Sequence, residues 1–148
     1  MTATTPAPTG ATRHGAGMLI RAWLVTSGAA AVVCAVAGSF LAGVVEADPS
    51  FLPLTPGPIV FFTLLFGAVA TMVYARVGVG PDGRRRWLRI ATIAAVLSLA
   101  PDVAIIVAPA SAPVPGATAG SGVALAILHL VAAPIIAFGL LRVAPPRP

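Results

Sequence analysis

The chain has 148 residues, of which 58% are apolar and only 9% charged, and its mean hydropathy is +1.00. A soluble domain carries about 25% charged residues, so this sequence is too poor in charge to clothe a water-facing surface. The formal charge is +5, with nine Arg, no Lys and four acidic residues. Such a basic balance invites a nucleic-acid reading, but the arginines sit at the ends of apolar runs. Membrane topology and attraction to anionic headgroups account for them there, and nucleic acid is set aside as a partner. Cys34 is the lone cysteine, so no intrachain disulfide and no paired-cysteine redox centre is expected. The weight of Arg, Ala, Gly and Pro suggests a GC-rich bacterial genome.

The arginines fall in three places: Arg13 with Arg21, the stretch from Arg76 to Arg89, and Arg142 with Arg147. Glu46 and Asp48 lie in the connection between the first two apolar runs. This charge pattern predicts a multi-pass plasma-membrane protein whose basic segments and both termini are cytoplasmic.

Residues 1–17 are rich in Thr, Ala, Pro and Gly and read as a disordered tail. Residues 22–45 carry no charge. As a helix they rise roughly 36 Å, enough to cross a hydrocarbon core of about 30 Å. Val45, Glu46 and Ala47 resemble a signal-peptide cleavage site. The run is too long for a signal h-region, so a retained first span is expected. Residues 46–57 form an outer loop whose prolines, Pro49, Pro53 and Pro56, oppose regular helix. Pro58 suits the first position of the second span, residues 58–75. Tyr74 and Arg76 are expected at its inner interface.

Residues 76–89 read as a cytoplasmic loop, with a turn at Pro81, Asp82 and Gly83. Arg84, Arg85, Arg86 and Arg89 there serve as the topology signal, with contact to anionic lipid as the alternative. The third span covers residues 87–108 and the fourth residues 122–141, joined by an uncharged Pro/Gly-rich loop. Residues 144–148 form a cytoplasmic tail. The expected fold is an all-α, integral-membrane four-helix bundle with antiparallel neighbours. Small residues at fourfold spacing mark close-packing stripes: Thr26, Ala30, Cys34, Gly38 and Ala42 on the first helix, and Thr63, Gly67, Thr71 and Ala75 on the second.

Two residues inside the spans could carry chemistry. Asp102 lies seven residues before Pro109, roughly 10 Å below the outer end of the third span. His129 lies roughly 10–13 Å below the outer end of the fourth. Antiparallel spans place them level, so a hydrogen-bonded pair is expected. It serves either as a polar clamp between helices or as a proton-sensitive site. Pro101 and Pro134 each remove one backbone bond, freeing the carbonyls of Leu97 and Leu130, and predict kinks. A metal site needs more ligands than this pair supplies. His14, in the tail, cannot join His129 in a bis-histidine haem. No cofactor is expected.

Trp87 opening a span, Leu97-Ser98-Leu99 running into Pro101, and the string Leu128-His129-Leu130-Val131-Ala132-Ala133 resemble an uncharacterised family of small four-helix actinobacterial membrane proteins. The resemblance covers residues 19–142 and implies four spans; it brings no assigned activity with it. The leading expectation is a non-enzymatic accessory subunit packing with another membrane protein or with copies of itself. The rival is a small proton-coupled transporter or channel using Asp102 and His129. Four-helix multidrug exporters depend on an acidic residue buried in the first helix, which this chain lacks. A quinone-reducing four-helix redox enzyme would need paired cysteines.

Overall fold

The structure is a computed structural model and describes residues 14–146. The expected disorder of residues 1–13 and the end of the C-terminal tail, residues 147–148, lie outside the described residues. The fold is all-α, with no strand among the described residues: α1 Ala16–Val44, α2 Pro56–Val77, α3 Gly83–Ser98, α4 Ala100–Val107 and α5 Ala119–Val143. One-turn 3₁₀ segments, Leu52–Leu54 and Pro109–Ser111, lie in the two loops at one end. With α3 and α4 taken together, four helical stretches are long and apolar enough to cross a membrane.

The helices overrun the expected spans because charge and proline do not end a helix where hydropathy alone suggests. Arg21 is exposed on the second turn of α1, which begins at Ala16 rather than at residue 22. Arg84, Arg85, Arg86 and Arg89 belong to α3, not to a loop, since arginine is a good helix former. The connection from α2 shrinks to residues 78–82. α2 starts at Pro56, so Pro58 is its third residue rather than its first. The first turn has no intrahelical partners for its N–H groups, so both prolines fit there without loss. α5 starts at Ala119 through a capping box. Thr118 Oγ1 accepts from Ser121 N at 3.0 Å, and Ser121 Oγ accepts from Thr118 N at 2.9 Å.

α1 ends in a Schellman-type turn, with Ala47 N donating to Ala42 O at 2.9 Å and Glu46 N to Gly43 O at 3.4 Å. The left-handed residue of that turn is Glu46, at φ 48°, where glycine is usual. A side chain there costs about 1–2 kcal/mol, while glycine loses about 0.5–1 kcal/mol more backbone entropy. Glu46→Gly is therefore expected to stabilise the protein by about 0.5–1 kcal/mol, measured as a raised thermal midpoint in mild detergent. A lowered midpoint would show that the carboxylate has a stabilising role. In the same loop Asp48 Oδ1 accepts from Ser50 Oγ at 2.6 Å and Ser50 N at 2.8 Å. These bonds hold its carboxyl below the usual carboxylate range.

α1 lies between α2 and α5, and it uses two adjoining small-residue stripes to do so. Thr26, Ala30, Cys34 and Gly38 are buried as the fourfold spacing predicts, and Ala42 is half-buried. Ala22, Ser27 and Ala31 are buried beside them. A Cβ at Gly139 of α5 would lie 2.6 Å from Thr26 Cγ2, so this pair marks a close approach of α1 and α5. A Cβ at Gly67 of α2 would meet Ser27 in the same way. Trp23 Nε1 donates to Leu64 O at 3.0 Å across α1 and α2. Cys34 Sγ lies 3.7 Å from Leu128 O across α1 and α5.

Two apolar clusters close the ends. At the loop-bearing end, Phe51 and Leu54 fold over Ile59, Cys34, Ala124 and Leu128. At the other end Tyr74, Trp87, Ala22 and Leu140 pack together. Tyr74 and Trp87 are buried there rather than exposed as interfacial rings. Tyr74 OH donates to Ala144 O, and Trp87 Nε1 donates to Ala137 O at 2.9 Å. Trp87 meets Tyr74 edge-on at 5.2 Å, and the buried His14 ring stacks on Tyr74 at 5.6 Å. Tyr74 and Trp87 each satisfy their polar atom on a neighbouring segment, which permits their burial. This end ties the described start and end of the chain together.

Candidate functional site at the α4–α5 seam

The helical bonding of the third span is interrupted at Leu99, whose backbone stays in the right-handed helical region. Pro101 has no N–H to continue the ladder, and Leu99 N turns back to Val96 O at 3.2 Å. A new helix, α4, begins at Ala100 with Pro101 in its first turn. Asp102 therefore stands in the first turn of α4, where the helix's partial positive charge offsets part of the cost of burying a carboxylate. In contrast, α5 runs unbroken through Pro134.

Gly122 lets α4 approach α5. A Cβ there would lie 3.0 Å from both Asp102 O and Ile106 N. His129 is two turns further along α5. Side chains on a helix lean toward its N-terminus. On antiparallel helices, Asp102 and His129 consequently lean toward each other. His129 Nδ1 lies 2.8 Å from Asp102 Oδ2 and 3.1 Å from Leu125 O. A carbonyl only accepts, so Nδ1 carries a proton, as the neutral tautomer or as imidazolium. The carbonyl is the better-aligned acceptor, and Oδ2 has no well-aligned donor among the described residues. The contact is thus an off-axis carboxylate–imidazole contact, charged on both sides when the ring is protonated, and it is the sole contact of its kind among the described residues.

The partners differ in exposure. The Asp102 side chain is 3% exposed and that of His129 40%. The sequence placed the two at one depth; the shared contact with Leu125 and the open side of the ring had no signal in it. No group of three His, Cys, Asp or Glu side chains comes together among the described residues. Arg84, Arg85, Arg86 and Arg89 lie far along the chain from this seam, exposed on α3. Arg86 is folded back onto Val79 O, across the tight connection. Cys34 is buried against α5.

Four helical stretches long and apolar enough to cross a membrane pack as a small all-α bundle, with one carboxylate–imidazole contact at the α4–α5 seam. The chain belongs to the family of unknown function DUF6069, whose profile matches residues 10–146. No curated protein matches the chain significantly, and no solved structure does.

Proposed function

We propose that this protein is a multi-pass component of a bacterial plasma membrane, from a GC-rich bacterium as its composition suggests and an actinobacterium as the resemblance implies, with both termini cytoplasmic. In this reading it is a non-enzymatic accessory subunit that packs against another membrane protein. The observation that carries it is the exposure of His129, 40% of whose side chain is open within an otherwise apolar stretch of α5. Ionisable side chains inside a bilayer face a bundle interior or water, because lipid cannot solvate them. A second protein covering the α4–α5 seam completes that interior. The α3–α4 span supports this, since only 11% of its apolar window is buried, against 33% for α1.

The test is a C-terminal tag, gentle solubilisation of native membranes and mass spectrometry of what co-purifies. A near-equimolar membrane protein is expected, with recovery reduced in His129→Leu. A monodisperse monomer recovered alone would overturn the reading. A second reading, a small proton-coupled transporter, is favoured by the buried Oδ2 of Asp102 without an aligned donor. Proteoliposome flux unchanged by Asp102→Asn would remove it.

A further inference from the structure

A groove of about 620 Å³ runs between α1 and α2 near the end that carries both described termini. Its walls include Leu19 and Trp23 on α1, and Ala68, Thr71 and Met72 on α2, with Arg76 at its mouth. The polar groups of the walls are already engaged. Trp23 Nε1 donates to Leu64 O at 3.0 Å, and Thr71 Oγ1 donates to Gly67 O at 2.8 Å. The Arg76 guanidinium makes no hydrogen bond or ion pair among the described residues. The groove therefore offers an apolar slot and one cation.

Its length fits one leaflet. Ala68 to Arg76 spans eight residues, about 12 Å of helix, and half of a hydrocarbon core is about 15 Å. An arginine at the last turn of a span stands at headgroup level. We infer that this groove holds one anionic phospholipid, an acyl chain along Trp23 and Met72 and the phosphate on Arg76. Charge complementarity selects this occupant over a partner helix, which would leave the guanidinium without a counter-charge. The site is separate from the α4–α5 seam and independent of any protein partner; it rests on the membrane setting alone.

The test uses the full chain in nanodiscs of equal phosphatidylglycerol and phosphatidylcholine, released into mild detergent and weighed by native mass spectrometry. Retention of one phosphatidylglycerol in preference to phosphatidylcholine is expected. Arg76→Gln should lower that preference about fivefold, the factor corresponding to one interfacial arginine. Met72→Trp fills the slot and should remove both lipids while Arg76 remains. Met72 is 69% exposed, so this variant keeps the packing between helices. Arg142→Gln, exposed on the last turn of α5 and outside the groove, should change nothing. Equal loss with Arg142→Gln, or retention indifferent to Met72→Trp, overturns the site. Extraction by alkaline carbonate separates the two levels. A chain that washes off refutes the membrane reading itself, whereas a retained chain without lipid preference refutes only the groove.

Discussion

Gly67→Ala should destabilise the bundle by about 1–2 kcal/mol, although alanine is the better helix former by about 1 kcal/mol. The reason is the crossing of α1 and α2. A Cβ at Gly67 would overlap Ser27 Oγ and lie 2.6 Å from Ser27 Cβ. The hydroxyl can rotate away, but the Ser27 Cβ is fixed to the backbone of α1, so the helices must separate. Overpacking of this kind costs about 1–3 kcal/mol and outweighs the gain in propensity. The double variant Ser27→Gly with Gly67→Ala moves the missing Cβ to the other helix. It should return to within about 1 kcal/mol of the parent, the cost of a glycine inside α1. Thermal unfolding of all three variants in one detergent measures this. A neutral or stabilising Gly67→Ala would mean that α1 and α2 do not cross there.

His129→Leu should be far more damaging than Asp102→Leu. Removing the imidazole strands a carboxyl that is 3% exposed, and leaving a buried polar group without its partner costs about 1–3 kcal/mol, more when it is charged. Removing the carboxylate leaves a ring that is half-open and still held by Leu125 O at 3.1 Å. No buried group loses its partner in that case, so Asp102→Leu should change stability by less than about 1 kcal/mol. The double variant should then resemble Asp102→Leu alone. A cycle built on His129→Gln and Asp102→Asn should give a small coupling, about 0.6 kcal/mol, the average for polar contacts within membranes. Equal losses for the two leucine variants would show that the carboxylate has another partner.

Three of the four apolar stretches were legible because residues 22–45, 58–75 and 122–141 carry no Asp, Glu, Lys or Arg, and the other, residues 87–108, carries only Arg89 and Asp102. Their ends were not, because helix termini depend on local bonds. The Thr118–Ser121 cap starts α5 early, and the arginines of α3 continue a helix that hydropathy would end. Counting rises of 1.5 Å per residue put Asp102 and His129 level, and the structure holds them 2.8 Å apart. The interruption at Leu99 lies two residues before Pro101, the proline that cannot continue the ladder. The segment beyond it docks where Gly122 of α5 leaves room. Tyr74 was read as an interfacial ring, and Trp87 only as the opening of the third span. Their burial depends on acceptors at Ala144 and Ala137, distant in sequence and brought near only by α5.

The order of contacts also governs the order of assembly. α1 and α2 pack on each other as soon as both exist, but α3 and α4 find most of their neighbours on α5, the last helix to be synthesised. During synthesis the α3–α4 stretch thus waits without most of its neighbours, its Asp102 lacking the His129 that faces it in the finished fold. α5 acts as a keystone: it meets α1, α2, α3 and α4 and converts a hairpin and a loose stretch into one body.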